Sequence, residues 1–135
     1  MTLFLIRGFP GSGKSTLANL LLTSIKDCKH YKADMFFIKR GVYKFNPKQS
    51  GIAHCWCLTK VSSALCLGYD VIVSNIFPTI SSVNVYKKLA DDLGHDFQVF
   101  NTTGQFVSIH SVPQEVLDKN FKQWQAYPNE IVVNF

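Results

Sequence analysis

An α/β fold, with a parallel sheet covered by helices on both faces, is what the patterning of this chain predicts, and three observations carry it. Strand-like and helix-like segments alternate along its length, the order that builds parallel sheets through helical crossovers. The first segment, Thr2-Leu-Phe-Leu-Ile-Arg7, is almost continuously apolar, as a strand buried on both faces must be. Glycines follow it at once, at the carboxyl end of a strand, where open α/β sheets bind their ligands. With 135 residues, 47% of them hydrophobic and 17% charged, the chain suits one domain spanning 1–135 and is too apolar for intrinsic disorder.

The elements follow in order. After the glycines, Leu17, Leu20, Leu21 and Ile25 recur at helical spacing. Lys29 to Ala33 is a candidate second strand. Asn46-Pro47 breaks the chain, and Gln49 to Leu67 then reads as a helix with His54, Leu58, Val61 and Leu65 on one face. Gly68 stands where a left-handed cap would end it. Val71-Ile-Val73 is the most strand-like run in the middle of the chain. Pro78 and Thr79 introduce a helix with Val85, Tyr86, Leu89 and Leu93 turned inward, and Gly94 stops it. Phe97 to Phe100 reads as a strand, followed by Asn101 to Gly104. Pro113 sits near the start of a last helix carrying Leu117, Phe121 and Trp124 at i, i+4 and i+7. Ile131-Val-Val133 is either an edge strand or disordered.

Composition narrows the function classes. No apolar run approaches the roughly 18 residues of a membrane span, so no membrane association is expected. Met1 to Arg7 lacks a basic leader and a small-residue cleavage site, which makes it a strand and not a signal peptide. The four cysteines therefore read as reduced thiols of a cytoplasmic, intracellular protein. Cys55 and Cys57, two apart on a predicted helix, do not face one side, so a buried thiol cluster is expected rather than a metal site. The net charge of +5 is uneven: residues 1–60 hold ten Lys and Arg against Asp27 and Asp34, a net +8, and residues 61–135 hold four Lys against seven acids, a net −3. Concentrated positive charge fits a polyanionic ligand, although a solvated lysine-rich surface has the same composition.

The chemistry-bearing motif is Gly8-Phe-Pro-Gly-Ser-Gly13-Lys14-Ser15, which satisfies G-x-x-x-x-G-K-[ST] at every fixed position. Glycines let the backbone wrap phosphate oxygens with its N–H groups turned inward. The helix opening at Lys14 contributes free amides and the positive end of its dipole. The Lys14 ammonium neutralises β- and γ-phosphates, and the Ser15 hydroxyl is a Mg²⁺ ligand. Gly8, Pro10, Gly11, Ser12, Gly13, Lys14, Ser15 and Thr16 are thus the candidate binding residues for a nucleoside triphosphate, ATP or GTP, with Mg²⁺. The fold class sharpens to a three-layer α/β/α P-loop NTPase/kinase fold with a parallel sheet.

The longer string Ile6-Arg-Gly-Phe-Pro-Gly-Ser-Gly-Lys-Ser-Thr-Leu-Ala18 resembles the P-loop kinases related to polynucleotide 5′-hydroxyl kinase, AAA-type ATP-binding kinase domains. Looser agreements follow in the same order: Ala33-Asp34-Met-Phe-Phe37, Gly41-Val-Tyr43-Lys-Phe45-Asn-Pro47, Ala53-His54, Val71-Ile-Val-Ser-Asn75, His110-Ser-Val-Pro113 and Trp124. The resemblance implies transfer of a γ-phosphoryl group to a hydroxyl, with Asp34 as the catalytic base. A carboxylate on a strand end beside the phosphate loop is suited to accepting that proton. The alternative for Asp34 is a surface acid capping a helix.

Lys39, Arg40, Lys44 and Lys48 are interleaved with Phe36, Phe37, Tyr43 and Phe45, a pattern able to hold a phosphodiester backbone and stack a base. A basic loop over buried aromatics is the other reading. His54, on the apolar helix face, reads as a hydrogen-bonded core histidine.

Three positions depart from the family pattern. The stretch expected to carry an arginine before His-x-Val-Pro is Gln105-Phe-Val-Ser-Ile109. The chain has only two arginines, Arg7 and Arg40, leaving Lys39 or Arg40 as the candidate replacement. Ser74-Asn75 stands where the third strand would end in an acid, and Phe77 where a second Asn is usual. Loss of an arginine that neutralises transition-state charge costs orders of magnitude in rate. Three functions stay open: a kinase acting on a polynucleotide 5′ end or a nucleotide, a catalytically degenerate nucleotide-binding regulatory module, and a small-metabolite kinase.

Overall fold

The computed structural model describes residues 1–104 and 114–135. The expected Gln105–Ile109 and His110–Pro113 pieces lie outside the described residues, as does the side chain of Leu117. Strand β1 (Thr2–Arg7) leads through the glycine loop into α1 (Lys14–Ser24) and β2 (Cys28–Tyr31). A 3₁₀ turn (Ala33–Phe37) and a hairpin of β3 (Ile38–Lys39) and β4 (Val42–Tyr43) come next, then a short 3₁₀ turn (Pro47–Gln49) and α2 (Ser50–Cys66). The chain continues through β5 (Asp70–Ser74), α3 (Ile80–Leu93), β6 (Asp96–Thr102), α4 (Gln114–Gln123) and β7 (Ile131–Val133).

The main sheet has five strands in the order β2-β5-β1-β6-β7, and every pairing in it is parallel. The alternation of side chains along a strand divides the core. Leu3, Leu5, Val71, Val73 and Val99 pack against Ala53, Cys57, Val61, Ala64, Leu65, Val83, Tyr86 and Ala90 of α2 and α3. On the opposite face Ile6 and Ile72 meet Leu17 and Ala18 of α1. The result is the expected three-layer α/β/α arrangement. The strand order reverses at β1, which lies between β5 and β6, so the crevice such a reversal opens lies where the glycine loop leaves the sheet.

Local chemistry explains the boundaries. Thr79 caps α3, accepting from the Ser82 amide while Ser82 Oγ accepts from the Thr79 amide, an arrangement worth about 0.5–2 kcal/mol. Gly68 and Gly94 end α2 and α3 at φ +91° and +73°, backbone that side-chain-bearing residues rarely adopt. The tail forms an edge strand beside β6.

Several expected inward faces are rotated. Leu20 is 56% and Val85 50% exposed, and Leu93 also faces outward. Their places are taken by Ala18, Val83 and Ala90, small or β-branched residues that approach the sheet closely. In α2 the buried line is Ala53, Cys57, Val61, Ala64 and Leu65, and His54 is exposed. The core-histidine reading of His54 is therefore corrected. So is the buried thiol cluster: Cys57 alone is buried, Cys28 is intermediate, and Cys55 and Cys66 are exposed. The second strand ends at Tyr31, and Ala33 belongs to the 3₁₀ turn. Among the described residues, no helix is long and apolar enough to cross a membrane.

Candidate functional site

The glycine loop is fastened at both edges. Gly8 N donates to Ile76 O (3.2 Å), and Gly104 N to Ser12 O (2.8 Å). Ser12 Oγ and Thr102 Oγ1 share a buried hydrogen bond of 2.7 Å. A Cβ on Gly8 would lie 2.4 Å from both hydroxyl oxygens and 2.9 Å from the Thr102 carbonyl. Gly8→Ala should therefore destabilise the fold by about 1–3 kcal/mol, the cost of overpacking, read as a lower denaturation midpoint in urea. Gly11 and Gly13 take φ +78° and +104°, which lets the backbone fold back into the helix.

The first backbone bond at the start of α1 runs from Leu17 N to Gly13 O, and Gly13 supplies no side-chain cap. The amides of Lys14, Ser15 and Thr16 thus precede the helical ladder, with the positive helix end beneath them. Lys14 Nζ donates to Gly8 O (2.9 Å) and Phe9 O (3.0 Å). Burial lowers its pKa to about 8, while the Asp34 charge opposes that shift and Lys32 adds to it. Ser15 and Thr16 are exposed on the first turn. A cluster of amides, an ammonium and an exposed hydroxyl fits a polyphosphate carrying Mg²⁺. Among the described residues no three His, Cys, Asp or Glu side chains gather as a metal site.

Asp34 sits in the 3₁₀ turn at the carboxyl end of β2. The N-cap of that turn is Lys32, so Asp34 is not the helix cap of the alternative reading. The turn is held by Asn75, whose Oδ1 accepts from Ala33 N (2.9 Å). Tyr43 Oη donates to Asp34 Oδ1 (3.4 Å). Burial first, and then the Asp34 charge, push the Tyr43 phenol up to about 12. Asp34 and Lys14, twenty positions apart in the chain, are thus brought within electrostatic reach.

At the end of β5, Ser74 Oγ bonds His30 Nε2 at 2.7 Å. Burial and then the Lys32 charge lower the His30 pKa to about 4, so its imidazole is neutral at pH 7. Partial desolvation of the ring also lowers the His54 pKa, against the charge of Asp34, although the residue as a whole is exposed. Neither His30 nor Tyr43 announces these contacts in the sequence, because their partners lie on other elements.

The basic stretch is a hairpin with Arg40 and Gly41 at its turn, at φ +52° and +78°. Two consecutive positive φ values make the turn whose twist suits tight hairpins, and the X-Gly pair between short β-prone runs was its sequence signal. Lys39, Arg40, Lys44 and Lys48 are all exposed. Beneath them, Phe37 meets Tyr43 (6.4 Å) and Phe45 (5.1 Å) edge-on, and Phe45 stays 44% exposed. The stretch thus combines an aromatic base with a solvent-facing basic rim.

Solved structures share this architecture. A sugar kinase from Janibacter sp. HTCC2649 matches over 100% of this chain and 84% of its own, with TM-score 0.67 and 15% identity. The APS kinase CysC of Mycobacterium tuberculosis, solved with AMPPNP and APS, matches over 98% and 87%, with TM-score 0.59 and 16% identity. A chain of the Pnkp1/Rnl/Hen1 complex matches over 87% of this chain and 38% of its own, with TM-score 0.63 and 20% identity.

The chain shares its fold with these solved structures.

In sequence, NEDD4-binding protein 2 of Homo sapiens is 38% identical over 64 residues, which is 47% of this chain and 4% of that protein. No family model matches.

Proposed function

We propose that residues 1–135 form a single intracellular kinase domain that passes the γ-phosphoryl group of ATP or GTP to a hydroxyl, most naturally that of a polynucleotide 5′ end or a nucleotide. The observation that carries this reading is the convergence of Lys14 and Asp34 at the switch point of the sheet, with a basic, aromatic-backed hairpin bonded to Asp34 through Tyr43.

The residues divide the work. The loop from Gly8 to Gly13 and the first amides of α1 hold the β- and γ-phosphates. Lys14 exchanges its bonds to Gly8 O and Phe9 O for phosphate oxygens. Ser15 would hold a phosphate-borne Mg²⁺, which when bound would supply neutralisation of charge on the transferring group. Asp34 accepts the proton of the attacking hydroxyl. Asn75 fixes the turn that carries Asp34, and Tyr43 orients its carboxylate. Lys39, Arg40 and Lys44 hold the acceptor's phosphodiester, with Phe45 offering a ring to a base.

Removing the Tyr43 hydroxyl should take an orienting donor from Asp34 while leaving the phosphate loop intact. Tyr43→Phe is expected to lower kcat about 3–10-fold, the worth of one hydrogen bond of about 0.5–1.5 kcal/mol. The nucleotide KM should hold. Steady-state kinetics at pH 7 read both.

The bond between Ser74 and His30 at the end of β5, where an acid was expected, favours a second reading, a nucleotide-binding module without transfer. Labelled ATP incubated with 5′-hydroxyl oligonucleotides, nucleosides and small polyols separates them. Label on an oligonucleotide or nucleotide supports the kinase reading, and label on a polyol alone points to a small-metabolite kinase. Nucleotide binding with no label in any acceptor supports the module.

A further inference from the structure

Arg7 is wholly buried, an expensive place for a permanent charge unless every face is answered. Its Nε and Nη2 donate to the carbonyl of Phe77 (3.0 and 2.7 Å). Nη1 meets Glu130 Oε2 at 3.0 Å, and Asn101 Nδ2 donates to the other oxygen of that carboxylate (3.1 Å). The guanidinium lies 4.0 Å from the centre of the Trp124 ring. That indole also packs on Phe9, the second residue of the phosphate loop, with ring centres 4.7 Å apart.

The contacts form one line. It runs from Glu130 through Arg7 and Trp124 to Phe9, whose carbonyl accepts from both Lys14 Nζ (3.0 Å) and Ser12 N (3.1 Å). The Phe9 carbonyl is the atom Lys14 leaves when a phosphate arrives, so whatever fixes Phe9 fixes the starting point of the ammonium. The proposed division of catalytic work uses none of Arg7, Trp124 or Glu130. Their partners are drawn from β1, the turn after β5, β6 and the segment after α4, which makes the line a brace across the top of the sheet.

We propose that Trp124, seated on Arg7, is a positioning residue for the phosphate loop: by stacking on Phe9 it holds the loop in the shape that receives a triphosphate. The inference rests on the reading of that loop as a triphosphate site. Removal of the indole leaves every phosphate-contacting group in place and leaves Phe9 only its longer contact with Phe121, with ring centres 5.9 Å apart, so affinity is lost through loosening of the loop rather than through a missing phosphate contact.

The test uses the full chain and calorimetric titration with Mg·ATP, beside thermal melting. Trp124→Ala is expected to weaken Mg·ATP at least tenfold, and Trp124→Phe, which keeps a ring on Phe9 and on the guanidinium, to recover to within about threefold of the parent. Val83→Ala, in the core under α3, lowers the melting temperature without touching the brace and should leave affinity unchanged. Should Trp124→Ala fail to fold, Phe9→Ala removes the same stack from the partly exposed side and is expected to show the same tenfold loss. Parent-like affinity in Trp124→Ala, or in Phe9→Ala where that variant decides, overturns the proposal and leaves the triphosphate reading standing. An affinity loss of the same size in Val83→Ala also overturns it, as a plain stability effect. No binding by the parent chain overturns both.

Discussion

Asp34→Asn is expected to lower kcat at least ~100-fold, the low end of what a lost general base costs, with Mg·ATP affinity within about twofold of the parent. The carboxamide is nearly isosteric and cannot take the hydroxyl proton. Tyr43 Oη still has an oxygen to donate to, so the hairpin contact survives. The loop amides and Ser15 are untouched. Single-turnover kinetics with labelled ATP separate the chemical step from binding. A near-parental rate would remove Asp34 from the role of base and turn attention to another group near Lys14.

Lys14→Met is the second large effect and falls on the other side of the split. An ammonium bonded to phosphate oxygens contributes about 1.5–3 kcal/mol for each charge-assisted bond, so Mg·ATP affinity should fall about 10–100-fold. The melting temperature should hold or rise, because a partly buried charge is replaced by an apolar side chain of similar reach. The pH dependence has a definite sign. In the free protein Lys14 has its pKa lowered to about 8, and bound phosphate favours the ammonium. Affinity should therefore be level below pH 7.5 and decline above pH 8, where binding must take up a proton. Calorimetry in buffers of different ionisation enthalpy reads that uptake directly, and it should vanish in Lys14→Met.

How much of this was legible in the chain depends on how local each cause is. Thr2–Arg7 was readable to the residue, because a central parallel strand needs an unbroken apolar run and glycine follows at once. The α2 boundaries came within one residue, since Asn46-Pro47 and Gly68 punctuate it. Its buried face did not, because Ile52, Trp56, Leu58 and Cys57 spread apolar surface around the whole helix and periodicity cannot choose among near-equal faces. In α1 and α3 the larger residues Leu20 and Val85 attracted the prediction, whereas close packing on the sheet selected Ala18, Val83 and Ala90.

At the candidate site the glycine loop was legible because the spacing of its glycines sets its backbone path. Asp34 could be placed only through the resemblance, and neither its partner Tyr43 nor Asn75, which holds the Ala33 amide of the same turn, could be placed, since those bonds bridge 9 and 42 positions. The hairpin was read as a basic stretch without its turn, although Arg40-Gly41 was the available signal. In the sequence Arg7 is the end of the first strand and one of two arginines. Its burial against Phe77 and Glu130, 70 and 123 residues away, follows from tertiary structure that no local pattern encodes.

The most direct measurement is a calorimetric titration of the intact chain with Mg·ATP and Mg·GTP at pH 7. A saturable, one-to-one heat with at least one of them, greatly weakened in Lys14→Met, is the predicted result. A flat trace with both nucleotides up to millimolar concentration, from chain shown by circular dichroism to be folded, would contradict it.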